Sequence, residues 1–179
     1  NNYIIKNIFK LHLLIVMMIF PFSLKAELSL NDPAPNFELF DQNGNKHKLV
    51  DYSGEWLVLY FYPKDDTPGC TTEACAFRDD IYKIRELKTN IVGISTDDKE
   101  SHEKFSKKYH LPFALLSDKD AVVAKSYGSA FKIGPFAMAK RHTFIISPEG
   151  KIAMIYRKVN PSTHSNEVIV KLKILTLSN

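Results

Sequence analysis

The run Trp56-Leu-Val-Leu-Tyr-Phe-Tyr62 is apolar and aromatic throughout and stops at Pro63. With no polar position to turn toward water, such a segment needs cover on both sides. That makes it the central strand of a sheet buried between two layers. Every other element has to be arranged around it. Ile91-Val-Gly-Ile-Ser95 has the same character and reads as a second buried strand.

Between these strands, Ala74, Phe77, Ile81, Ile84 and Leu87 recur at three- and four-residue spacing, the buried face of a single helix over about 71–88. Upstream, Asn31-Asp-Pro-Ala-Pro35 is a stiff extended entry, and 37–40 and 46–50 are short strands around the turn Asp41-Gln-Asn-Gly-Asn45. Downstream, Asp98 caps a polar helix running to about Tyr109, 111–116 is a short strand, and Asp118 or Asp120 caps a small helix through Tyr127. Residues 132–140 read as a loop around Gly134-Pro135. The segments 141–147 and 151–158 flank Ser-Pro-Glu-Gly150 as a β-hairpin, and Ser162 caps a last helix with Val168, Leu172 and Leu175 facing inward. Strands and helices alternating about a mixed central sheet define an α/β chain with helices on both faces. In such sheets the chemistry gathers beyond the carboxyl ends of the strands.

The loop that leaves the central strand at that end, Pro63-Lys-Asp-Asp-Thr-Pro-Gly-Cys70-Thr-Thr-Glu-Ala-Cys75, carries both cysteines of the chain. Cys70 falls where a helix begins, facing unpaired backbone N–H groups and the positive end of the macrodipole. Both stabilise a thiolate, the nucleophilic form of the side chain. Five residues of helix advance roughly 7.5 Å and turn roughly 500°, which sets the two Cα atoms about 8–9 Å apart. A disulfide wants about 4.4–6.8 Å. The thiols can therefore bond only if the first helical turns unwind, which suggests a cycle between a helical dithiol and a locally unfolded disulfide. From spacing alone a structural disulfide stays open as the alternative. Zinc wants more ligands than this stretch offers, and four intervening residues are not the two of a Cys-x-x-Cys oxidoreductase.

The formal charge of +4 says little, because Lys6, Lys10 and Lys25 lie in the first 26 residues and the rest of the chain holds 21 basic against 20 acidic residues. That body has no electrostatic case for nucleic acid. The basic Lys6 and Lys10, the apolar stretch over 11–22 broken only by His12, and the closing Ser-Leu-Lys-Ala26 have the layout of a secretory signal. The stretch falls short of the roughly 20 residues of a comfortable membrane span. Residues 1–26 thus read as a signal peptide, with an uncleaved anchor as the alternative, and 27–179 as one domain large enough for its own core. The expectation is an exported, periplasmic monomer that meets a membrane only through its N-terminal segment. No phosphate-cradling, dinucleotide or metal motif is present, and His102 and His110, on or at the end of a polar helix, read as solvated.

The stretch with Pro63, Thr67, Pro68, Gly69, Cys70, Glu73, Cys75, Phe77, Arg78 and Asp79 closely resembles the active-site region of peroxiredoxins, most of all the bacterioferritin-comigratory (PrxQ) subfamily. The likeness extends from about Leu28 to the C-terminus. It includes the Asp32-Pro-Ala-Pro-Asn-Phe37 entry, Val92-Gly-Ile-Ser95, and Arg141-His-Thr-Phe-Ile-Ile146. Tyr156, where relatives often carry Trp, and the signal segment are departures. The resemblance implies a thioredoxin-like fold and a thiol peroxidase acting on hydrogen peroxide and organic hydroperoxides, with no metal or organic cofactor. It implies that Cys70 is the peroxidatic cysteine and Cys75 the resolving one. Thr67 then donates or relays a hydrogen bond to thiolate and peroxide, Arg141 holds the thiolate as an anion, and Pro63 and Pro68 shape and shield the pocket. Thioredoxin or a thioredoxin-like protein restores the thiols.

Taken singly, these residues admit plainer readings: Arg141 as a surface ion pair beside Lys140 and His142, Glu73 as a helix-start carboxylate favoured by the dipole, Arg78 and Asp79 as a structural pair. Two rival functions stand beside the peroxidase. One is an exported thiol–disulfide exchange protein; the other is a non-catalytic secreted domain with a structural disulfide.

Overall fold

In the computed structural model, residues 27–177 are described; the segment read as a signal peptide lies outside them. Trp56–Phe61 (β3) is buried at every position and is the middle strand of a five-stranded sheet with order β5-β4-β3-β8-β9. Thr89–Ser95 (β4) and Ala114–Ser117 (β5) run parallel to it, while His142–Ile146 (β8) is antiparallel and is followed by antiparallel Ile152–Tyr156 (β9). The sheet is mixed, as expected.

Successive side chains of β3 enter different cores, because strand residues alternate sides. Trp56, Val58 and Tyr60, with Tyr62 beyond, pack with residues of the helices α1 (Pro68–Asp79), α2 (Ile81–Glu86), α3 (Lys99–Tyr109) and α5 (His164–Leu177). Leu57, Leu59 and Phe61 pack with α4 (Val122–Ser126), the N-terminal entry at Ala34 and Phe37, and Ala139. Helices cover both faces, but unequally.

Several boundaries differ from expectation for identifiable reasons. The single helix over 71–88 is two helices that part at Asp80 (φ −96°, ψ 6°). The Asp80 carboxylate accepts from Ser165 of α5 and from Lys83 (2.6 Å), and aspartate is a poor helix-interior residue. The expected loop over 132–140 is a hairpin, Ala130–Ile133 (β6) against Phe136–Ala139 (β7). Gly134, at φ 58°, supplies the first position of its two-residue turn. Asp98 caps α3 by accepting from the Ser101 N–H at 2.9 Å. Asp118, not Asp120, serves α4, its carboxylate accepting from the amides of Val123 and Ala124 (3.2 and 2.8 Å). Ser162 does not cap α5; its hydroxyl donates to Asn160 Oδ1. The entry hairpin, Glu38–Phe40 (β1) with Lys46–Lys48 (β2), is present, but its second strand stops at Lys48 and Leu49–Tyr52 turn as a short 3-10 helix instead of continuing to Val50. No helix among the described residues is long and apolar enough to cross a membrane.

The parallel pairing of β3 with β4 depends on Gly93. It lies opposite Tyr60, and a Cβ there would sit 2.7 Å from Tyr60 Cζ and 2.9 Å from Leu115 Cδ2. Gly93→Ala overfills this contact and should cost about 1–3 kcal/mol of stability. Chemical denaturation checks this, and an unchanged midpoint would show that the ring does not lie over the glycine.

Candidate active site

Topology brings the site together. α1 begins seven residues beyond the carboxyl end of β3, and β8, antiparallel to β3, pairs its first residue His142 with Phe61. Arg141, immediately before β8, therefore arrives beside α1 although it is 71 residues from Cys70.

Thr67 takes the N-cap position in extended conformation, but its side chain makes no capping bond. Pro68 follows at N1, where its fixed φ suits a helix start and no N–H is wasted. Cys70 lies in this first turn, facing the donors and dipole of an uncapped helix N-terminus. Its sulfur is buried, and Arg141 Nη2 donates to Sγ at 3.2 Å. Gly69 leaves room for this contact, since a Cβ there would stand 3.2 Å from Arg141 Nη2 and 3.7 Å from Pro161 Cγ. Cys75, half-buried on the same helix, is also a free thiol. The pair stands on one unbroken helix, the arrangement in which helical geometry keeps two such thiols from bonding.

Arg141 is no surface ion pair. Its Nη1 is paired with Oε2 of Glu73, which is 1% exposed and sits one turn beyond Cys70. Burial pushes the Glu73 carboxyl up to about 7, against the pull of Arg141. Burial also opposes the arginine's charge, yet Glu73 and Cys70 together hold it above its ordinary value. Both pKa values rise, which favours neutral Glu73 but charged Arg141, because the carboxylate is the more deeply enclosed and Arg141 keeps 20% of its side chain exposed. Glu73 Oε1 and the Tyr60 hydroxyl are both buried without a hydrogen-bond partner.

The remaining residues singled out in the sequence fall as follows. The Thr67 hydroxyl gives its hydrogen to the Lys64 carbonyl (3.0 Å) rather than to the sulfur, leaving its oxygen as an acceptor. Pro63 is half-buried and lines an outer cavity of about 800 Å³ with Thr96, Phe136 and Met138, while Pro68 is exposed. Arg78 bonds Asp79 (2.8 Å) and the Tyr109 carbonyl (2.8 Å), a structural tie. His110 is the exposed left-handed C-cap of α3. His102 corrects the sequence reading, because it has no exposed surface and bonds Asp65 at 2.8 Å. Its partner lies 37 residues away, beyond the reach of helix periodicity. His164 carries no signal in the sequence. It is buried at the start of α5, edge-on to Phe77 and Tyr156, and burial lowers its pKa to about 4. Among the described residues no cluster of His, Cys, Asp or Glu could hold a metal ion.

The site is thus a thiol at a helix N-terminus, beneath a guanidinium held by a buried carboxylate, on a mixed sheet of thioredoxin-like order. Residues 30–155 match the AhpC/TSA family, and the chain belongs to that family. It is 41% identical over 151 residues to the peroxiredoxin Bcp of Bacillus subtilis, covering 82% of this chain and 96% of that one. It is 40% identical to the chloroplastic peroxiredoxin Q of Oryza sativa subsp. japonica over 84% of this chain and 69% of the relative. Among solved structures, peroxidoxin BcpB of Mycobacterium tuberculosis superposes with a TM-score of 0.79 at 32% identity, over 83% of this chain and 99% of that chain. PrxQ of Xylella fastidiosa, as a cysteine-to-serine mutant, gives 0.78 at 32% identity over 84% and 98%. The chain is a thiol peroxidase of the Bcp/PrxQ kind.

Glu73 gives the site a pH signature. Its folded pKa of about 7 stands above the ordinary 4.5, so between these values the folded protein binds the extra proton. Stability from this group is full below the lower value and lost as pH rises through the upper one. The stability of the wild type relative to Glu73→Gln should therefore fall across that window. Denaturation midpoints of both proteins measured through it check the sign, and a constant difference contradicts it.

Proposed function

We propose that this peroxidase works as a two-cysteine enzyme in which Cys70 attacks peroxide and Cys75 resolves it. The observation that carries the reading is the Arg141 Nη2 contact to Cys70 Sγ at 3.2 Å in the first turn of α1. The guanidinium favours an anionic sulfur and never surrenders its own proton. The thiolate attacks one peroxide oxygen, the O–O bond breaks, and the sulfur is oxidised by two electrons to sulfenic acid while the other oxygen leaves as water or alcohol. Charge grows on that leaving oxygen, where fixed donors lower the barrier most. Arg141 is placed to be such a donor, with Glu73 keeping it in position. The free lone pairs of Thr67 Oγ1 suit it to accept the peroxide hydrogen, and Pro63 and Pro68 stiffen the loop around the site.

The Cys75 thiol then bonds to the Cys70 sulfur, the sulfenic oxygen departs as water, and a disulfide remains. An external dithiol protein of the thioredoxin kind returns two electrons by exchange. The N-terminal sequence supports an exported protein, one that would draw on a reductant outside the cytoplasm. A non-catalytic domain stapled by a disulfide fits poorly with two free thiols on an intact helix.

Cys70→Ser should abolish peroxide turnover. Cys75→Ser should keep the first attack and halt at a trappable sulfenic acid, or recycle only through an added thiol. Rapid quench with intact-mass detection separates the steps. Trp56 lies at the far end of β3 from Cys70, so its fluorescence is a poor reporter. Unaltered steady-state kinetics in Cys75→Ser would remove Cys75 from the cycle.

A further inference from the structure

If Cys70 and Cys75 are to bond, part of α1 must open, and the structure marks where opening stops. Upstream stands Asp65, its side chain 3% exposed. One carboxylate oxygen accepts from the Tyr62 hydroxyl (2.7 Å); the other accepts from Ser101 Oγ (2.7 Å) and His102 Nδ1 (2.8 Å). A carboxylate only accepts, so the hydrogen lies on Nδ1. The Asp65 N–H donates to Asp97 Oδ2 (2.8 Å), an oxygen that also accepts from Ser95 Oγ (2.8 Å). The loop is thus tied to the end of β3, the end of β4 and the first turns of α3 at one buried point. A buried carboxylate with donors on both oxygens is costly to dislodge, although the far ring nitrogen of His102, Nε2, stays buried without a partner.

One residue further on the character changes. Asp66 holds a left-handed φ of 53° and is bound only at the surface, to Lys108 (2.7 Å) and the Tyr109 hydroxyl (2.7 Å). It has the features of a hinge. Downstream, Phe77 is wholly buried against His164, and Asp80 is held by Ser165. Between the two anchors lie both cysteines.

We propose that the Asp65–Tyr62–His102 network is the fixed upstream stop for the opening of α1, confining it to residues 66–76 and making His102 a positioning residue for the division between peroxide attack and disulfide formation. The proposal rests on the reading of Cys75 as the resolving cysteine. Held at Asp65, the loop keeps the Cys70 pocket assembled for attack, yet lets the segment beyond the hinge unwind.

The Asp65 amide is a direct reporter, because its partner is a side chain outside the moving segment. Hydrogen exchange is compared in the reduced protein and after one equivalent of hydrogen peroxide, with intact mass confirming the disulfide. Amides 66–76 should lose protection on oxidation while Asp65 keeps it. Rapid exchange at Asp65 in a chain whose disulfide has formed overturns the anchor. Failure to form any disulfide overturns the resolving role, and the proposal with it. In His102→Leu the peroxide attack should slow by about tenfold as the pocket loosens, while disulfide formation holds or quickens; His102→Asn, which keeps a donor toward Asp65, should restore both. Equal slowing of the two steps, or no change in either, contradicts the assignment. Should His102→Leu fail to fold, Tyr62→Phe removes one donor at nearly constant volume and should shift the ratio the same way.

Discussion

The structure depends on a guanidinium held between a carboxylate and a sulfur. Arg141 reaches Glu73 with one nitrogen and Cys70 with another. Neither contact would be strong at the surface, where water screens and competes. Here Glu73 is almost fully enclosed and the sulfur is buried, so the positive charge is met by the two groups rather than by solvent. The cost is visible in Glu73, whose carboxyl is pushed up to about 7 by its enclosure. The fold supplies what this requires: an antiparallel β8 delivers Arg141 to the carboxyl end of β3, and Gly69 keeps the approach open.

Rigidity is distributed to suit the same chemistry. A buried polar knot fixes the loop before Cys70, while Asp80 and Phe77 fix the far end of α1. The sheet beneath is packed on both faces with aromatic rings, Tyr60 against Tyr62 and Phe77 on one side and Phe61 against Tyr127 and Phe144 on the other. Between those anchors lies the stretch of α1 that carries both thiols, held to β8 by Arg141 through Cys70 and Glu73.

The central strand was legible because it lacks any polar alternation, and α1 because Ala74 and Phe77 keep helical spacing ahead of Ile81 and Ile84. The place of Cys70 was legible from the loop that leaves the carboxyl end of the central strand and leads into a helix. What local pattern could not show was set by partners far along the chain. The break at Asp80 depends on Ser165, 85 residues on, and the burial of His102 on Asp65, 37 residues back. Glu73 could be placed on the helix, but its pairing with Arg141 spans 68 residues. The β6–β7 hairpin escaped because its strands are four residues each and mostly half-buried or exposed, with no alternation to reveal them.

The most direct test of the account is the second-order rate constant for hydrogen peroxide with reduced Arg141→Gln, set beside the wild type. Loss of the charge facing Cys70 should slow the reaction by about 10²–10³-fold, the scale of removing a fixed donor from a developing charge. A rate constant equal to that of the wild type, in a variant with native stability, would mean that the guanidinium is a bystander and that the sulfur owes its reactivity to something else.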